Sequence, residues 1–223
     1  MIILTRFGII LQALVRLEKM TGESDNGRRV YLASASPRRK ELLALTGIDF
    51  TVMPLGEIDE NILTAGYHGD AIGLAEHLSR EKAKLALNLG IDGIFITADT
   101  LVISGDGAVL GKPNSRDEAE MYLDRLAGNW HTVVTGVALV SKPDLSPDMI
   151  LSLHENTRVK FAPMTHKEII DYIDTGEPFD KAGGYGIQGR ASIYIERIDG
   201  CYFNVVGFPV HAFWKMWQRF KRF

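Results

Sequence analysis

A single cysteine, Cys201, occurs in 223 residues. That excludes an internal disulfide and a cysteine-based zinc site, and it suits a reducing compartment. Long apolar runs are missing too: none reaches the ~18 residues of a membrane span, so no membrane partner is expected. Charge of one sign is scarce, because 25 Lys and Arg face 28 Asp and Glu for a formal net charge of −3. A general nucleic-acid surface is therefore not expected, and any anion site must be a local cluster. There is no low-complexity stretch, no internal repeat and no GxxxxGK[ST] phosphate loop. What remains is a chain with 46% hydrophobic residues, long enough for one substantial core or two small lobes.

Acids are nearly absent from the start of the chain, where Glu18 alone precedes residue 23. Ile3, Phe7, Ile10, Leu14 and Leu17 share a helical face. This reads as an extra helix packing on the domain or on a partner, with an amphipathic organelle presequence as the alternative. The charged start is weak and no small-residue cleavage site follows, which does not fit a secretory signal. TGESDNG (21–27) reads as a linker, so residues 1–29 form an extension and 30–223 the domain. A cytoplasmic location is expected.

Along the domain, Val30–Ala33 predicts a strand, Pro37–Thr46 a helix and Ile48–Met53 a strand. Asp70 is placed to cap a helix through Leu89, with Leu74, Leu78, Leu85 and Leu89 as its apolar stripe. GIFITA (93–98) predicts a buried strand, and LVISGDGAVL a hairpin around Gly105-Asp106-Gly107. Capping boxes are expected at Ser115 with Glu118 and at Thr165 with Glu168. Strands are expected over 131–140 and 150–161, two more around Asp199-Gly200, and an amphipathic helix from Val210. Helices and strands alternate, but hairpins interrupt them. The expected class is α/β with a mixed central sheet flanked by helices.

The helix start at YLASASPRRKELL raises a chemical question. Ser36 is a favoured N-cap and Pro37 suits the first helical position. Yet Arg38, Arg39 and Lys40 follow, and each cation there is disfavoured by about 0.3–1 kcal/mol when unscreened. An anion would resolve this, since helix N-termini bind phosphate and arginines offer bidentate donors, with Ser34 and Ser36 alongside. A solvated basic helix start is the plain alternative.

Asp99 interrupts the apolar run GIFITADTLVI, so its carboxylate must be hydrogen-bonded, paired or metal-bound, or else cap a turn between strands. Glu57, Asp59 and Glu60 form an acidic loop that suits Mg²⁺ beside phosphates, or plain solvated surface. Lys82 lies at the edge of an apolar stripe, where a snorkelling stem is the usual reason, and Lys112 follows the hairpin. Residues 181–189 are glycine-rich enough for close backbone approach, and Gln188 offers a donor and an acceptor for a base edge.

Taken in order, SASPRRKELL, IDE, SREKA, ADTLV, GKP, TGVAL, AGGYGIQG and NVVGFPV resemble the Maf family of nucleoside triphosphate pyrophosphatases, from about Val30 to the last helix. The resemblance implies two lobes around a deep cleft, as in inosine triphosphatase-like enzymes, and cleavage between the α- and β-phosphates. It implies Asp99 as proton acceptor, Glu60 as metal-associated acid and Lys112 as the GKP lysine. Ser36, Arg38, Arg39 and Lys82 match its phosphate-binding set. Arg38, Thr100 and Gln188 look like the branch acting on dTTP and UTP, with modified pyrimidine nucleotides as further substrates. A divalent metal at Glu60 and Asp99 (Mg²⁺ foremost, Mn²⁺ or Co²⁺ as alternatives) and a homodimer are also implied. The rival readings are a nucleotide-binding regulator of cell division and a phosphohydrolase releasing inorganic phosphate.

Overall fold

A computed structural model of the chain describes residues 27–143 and 149–222, apart from the side chains of Glu60 and Asn61. The expected N-terminal helix lies outside the described residues. One seven-stranded sheet carries the fold, in the order β2-β1-β3-β5-β6-β7 with β4 on the edge of β3. Its strands are β1 (Val30–Leu32), β2 (Thr51–Val52), β3 (Gly93–Ile103), β4 (Val109–Leu110), β5 (Trp130–Lys142), β6 (Leu151–Phe161) and β7 (Ile195–Asp199). β1 pairs in parallel with β2 and β3, and the other pairings are antiparallel. The mixed sheet is as expected.

β3 and β5 form the spine, registered from Gly93 against Lys142 to Ile103 against Thr132. Successive side chains leave a strand on opposite faces, and the core divides accordingly. On one face Tyr31, Ala33, Phe95, Ala138 and Val140 pack against α3 (Ala71–Leu87). On the other, Val30, Leu32, Ile94, Ile96, Val137 and Leu139 meet α1 (Pro37–Ala44) and the last helix, α7 (Val210–Phe220). α7 commits Phe213 and Trp217 to that layer, each contributing about 1.5–3 kcal/mol by burial. Farther along the same face, Val102, Val133, Val159 and Phe161 pack with α4 (Arg116–Leu126) and α5 (His166–Ile173).

The differences from the sequence expectations have physical causes. α3 buries Ala75, Leu78, Ser79, Ala83 and Ala86, while Leu85 and Leu89 of the expected stripe are each 36% exposed. Small residues are needed because the helix lies almost on the strand: a Cβ at Gly136 would sit 2.1 Å from the Ala75 carbonyl oxygen. Thr165 and Glu168 form the expected capping box. Ser115 caps α4, but Glu118 reaches the Asn114 amide (2.7 Å) instead of closing a box on Ser115. α2 (Glu60–Thr64) is a short helix inside the expected acidic loop. Of the two strands expected around Asp199-Gly200, β7 forms the first, while the second is instead a short helix, α6 (Tyr202–Val206). Asn204, 0% exposed, holds α6 down by donating to the Val133 carbonyl and the Thr157 hydroxyl, both at 3.0 Å.

His131 packs against Phe161 and Tyr185 with its Nε2 2.7 Å from the Tyr185 hydroxyl. Burial pushes its pKa from 6.5 down to about 3. The unfolded chain therefore takes up a proton below 6.5 that the folded chain refuses. Stability from this source is complete above 6.5 and is lost as the pH falls. His131→Gln keeps a partner for Tyr185 and does not titrate. Between pH 7 and pH 5 the wild type is expected to lose about 2 kcal/mol more than that variant. Urea midpoints at the two pH values measure this, and equal losses would clear His131 of the effect. A second expectation concerns the helix–strand contact: Gly136→Ala should destabilise by about 2–3 kcal/mol through overpacking against backbone. An unchanged urea midpoint would contradict that contact.

Candidate functional site

β1 ends at Leu32, paired with Ile96, and β4 joins β3 only at Val102. Between those points β3 has an open edge, and the chain leaves β1 toward β2 on one side while β3 continues to β5 on the other. That is a topological switch point, the usual place for a ligand in an open α/β sheet. A cavity of about 920 Å³ opens there. It is lined by Ser34, Ser36, Arg38 and Arg39 from the β1–α1 junction, and by Asp99 and Thr100 from β3. Lys82 of α3, Lys112 after β4 and Gln188 of the glycine-rich segment complete the expected set, except Glu60. Glu60 opens α2, and its side chain lies outside the described residues.

Asp99 is in the middle of β3, not at a strand end or a turn, and is 6% exposed. Such a carboxylate needs compensation, and Lys82 of α3 supplies it in a direct ion pair with Asp99 Oδ1. Lys82 does not simply snorkel; its side chain is only 13% exposed in that pair. The two groups meet because Asp99 leaves β3 on the face that α3 covers.

Thr100, the next residue, leaves on the opposite face. Its hydroxyl lies 3.0 Å from the Thr135 hydroxyl and accepts from Arg39 Nη2 at 3.0 Å. Arg39 also donates from Nη1 to the Ala98 carbonyl (2.8 Å) and the Ser34 hydroxyl (3.3 Å), and from Nε to the Gly207 carbonyl (3.1 Å). The expected helix start is otherwise present: the Ser36 side chain caps α1 through the Arg39 amide, with Pro37 at the first helical position. Arg38 sits 3.5 Å from Asp180.

Three charged residues on the cavity wall were not singled out from the sequence as site residues: Glu177, Asp180 and Lys181. Lys181 donates to Asp180 Oδ1 (2.5 Å) and to the Glu177 carbonyl (3.0 Å). Burial pushes the Asp180 carboxyl up, but the hydrogen bond and charge of Lys181, with Arg38 beyond, outweigh it and hold the group below its ordinary value. No sequence signal marks these three: Gly186 and Gly189 make room for the Lys181 stem and the Glu177 carboxylate, but a glycine does not name the side chain it admits. The cavity thus gathers Arg38, Arg39, Lys82, Lys112 and Lys181 against Asp99, Glu177 and Asp180. In a chain of net charge −3, that local surplus of cations suits an anion.

A divalent metal can be tested against these groups. Among the described residues no cluster of three or more His, Cys, Asp and Glu is arranged to hold an ion. Mg²⁺ at phosphate sites typically takes one or two carboxylates and completes its shell with phosphate oxygens and water. Asp99, a carboxylate facing a cation-rich cavity, fits a metal that enters with a polyphosphate.

A dTTP/UTP pyrophosphatase from Symbiobacterium thermophilum is 47% identical over 194 residues, covering 86% of this chain and 94% of that one. Relatives of the same name from Desulforamulus reducens and Aquifex aeolicus are 45% and 38% identical, covering 82% and 84% of this chain and 92% and 93% of theirs. Among solved structures, a HAM1 protein from Coxiella burnetii is similar at 15% identity with a TM-score of 0.41, over 61% of this chain and 74% of that one, a likeness too weak to carry an inference. The family model for Maf-like proteins matches residues 29–220, and with these relatives it shows that the chain belongs to the Maf-like protein family.

Proposed function

We propose that the chain hydrolyses dTTP and UTP, together with modified pyrimidine nucleoside triphosphates, to the monophosphate and pyrophosphate. The names of its relatives supply the substrate class. The observation that carries the reading is the Asp99–Lys82 pair, a nearly buried carboxylate on the wall of a cavity whose charges favour an anion. A nucleotide-binding regulator would need the cations but not this carboxylate.

In the proposed reaction, the triphosphate sits at the start of α1, where the free helix amides and the dipole favour phosphate. Arg38 and Lys112 hold the β- and γ-phosphates and offset charge developing on the leaving oxygen. Arg39, committed to acceptors of the protein, frames that seat together with Ser34 and Ser36. Asp99 accepts the proton of the attacking water, and Lys82, already on its carboxylate, also faces the incoming phosphates. A bound divalent ion (Mg²⁺, with Mn²⁺ or Co²⁺ as alternatives), held by Asp99 and Glu60, would polarise the α-phosphate and lower the pKa of water. Thr100 and Gln188 select a pyrimidine with an oxygen at C4. A homodimer and a cytoplasmic location belong to the same proposal and rest on the family likeness.

Asp99→Asn is expected to lower pyrophosphate release from UTP by about 10²–10⁴-fold, with the fold retained by circular dichroism. Wild-type turnover in a folded variant would remove Asp99 from this role. Dialysis against a chelator should abolish turnover and added Mg²⁺ restore it, with pyrophosphate as the first product. Release of inorganic phosphate instead would make the chain a phosphohydrolase of another kind.

A further inference from the structure

The glycine-rich segment presents Gln188 at the tip of a tight turn, in which the Gly189 amide donates to the Gly186 carbonyl at 3.0 Å. Gln188 itself is exposed, so its own packing does little to hold it. One carboxylate instead closes over both ends of the turn. Glu177 accepts from the Arg190 amide (2.9 Å), just after the turn, and from the Tyr172 hydroxyl (3.0 Å). The same carboxylate reaches the start of the turn, where a Cβ at Gly186 would lie 3.3 Å from Glu177 Oε1. The carboxylate also fills the space above the turn: a Cβ at Gly189 would lie 2.0 Å from Glu177 Oε1. At the other end, a Cβ at Gly186 would strike the Lys181 stem at 2.6 Å. Tyr172 is 3% exposed in α5, so the anchor of this bracket is part of the core.

Resting on the proposed reading of the cavity as a pyrimidine triphosphate site, we infer that Glu177 is a positioning residue for base selection. It holds the Gly186–Gly189 turn so that the Gln188 amide faces the base edge in a fixed orientation. An amide can turn either its acceptor or its donor toward a base, so discrimination between uracil and cytosine depends on the backbone that carries it. Loosening the turn costs discrimination and base affinity, while the phosphates and Asp99, held by β1, β3 and α1, remain in place.

The test is steady-state kinetics of pyrophosphate release from UTP and CTP for the wild type, Glu177→Ala, Glu177→Gln and Gly189→Ala. In Glu177→Ala, KM for UTP is expected to rise about tenfold with kcat within about threefold, and the UTP-over-CTP ratio of kcat/KM to fall about tenfold. Gly189→Ala, which displaces the carboxylate without touching its chemistry, should give the same pattern. Glu177→Gln, which keeps one accepting oxygen, should lie between. A merely structural role lowers the amount of active enzyme, hence apparent kcat, and leaves KM and the UTP/CTP ratio alone. If any one of these variants folds and turns over with both wild-type values, the inference is overturned. Should Glu177→Ala not fold, Gly189→Ala and Glu177→Gln decide by the same criterion. The wild-type arm separates the two readings: no pyrophosphate from UTP defeats the proposed function, whereas a selective wild type with equally selective variants defeats only the role of Glu177.

Discussion

Arg39 closes a gap in the sheet. Ala33 donates to the Ile96 carbonyl, and there β1 turns away from β3. The next carbonyl on the same edge, Ala98, accepts from Arg39 instead of from a strand. A buried sheet edge with unpaired carbonyls is costly, so the guanidinium does for one position what a neighbouring strand does elsewhere. The substitution lets the edge of β3 stay open beside Asp99 and Thr100 without an unsatisfied acceptor at Ala98. By also reaching Ser34, Thr100 and Gly207, one side chain joins the β1–α1 junction, the spine strand and the loop after α6. The cavity exists because those three meet around a cation rather than around another strand.

Local chemistry was readable wherever it was complete within a few residues. The Ser36-Pro37 helix start, the Asp70 cap, the hairpin at Gly105–Gly107 and the Thr165–Glu168 box all form as their residue types dictate. The arginines after Pro37 were also legible as an anomaly, because the helix dipole makes three cations there conspicuous. What that reading missed was direction. Arg38 and Arg39 are adjacent, yet one meets the cavity-wall carboxylate Asp180 and the other is tied into the sheet.

The rest depended on contacts distant in sequence. At Asp99 the sequence leaves a turn cap open beside a paired or metal-bound carboxylate, because nothing near it in the chain compensates its charge; the compensating group is Lys82, on a helix packed across the face. The expected stripe of α3 holds at Leu74 and Leu78 but fails at Leu85 and Leu89, because leucine spacing ignores how closely a helix can approach a strand. Gly136 removes the usual spacing, and small residues follow. Glu177 carried no local sign at all. Its partners, Tyr172 and Arg190, lie on either side of it in sequence, five residues before and thirteen after, and only folding brings them to one carboxylate.

The pairing of β3 with β5 has a chemical meaning beyond holding the sheet together. Asp99 and Thr100 are neighbours on one strand, so the pleat alone sends them to opposite sides of the sheet. A slip of one residue would exchange them, setting a carboxylate among the acceptors around Arg39 and a hydroxyl before Lys82. Such a protein could keep its sheet and its helices and still have lost both partnerships. Long antiparallel registry, from Gly93 to Ile103, makes that exchange expensive, because every apolar residue of β3 would change faces with them. The spine strand therefore fixes by its parity which partner each side chain meets: the carboxylate finds Lys82 in one layer, the hydroxyl finds Arg39 in the other.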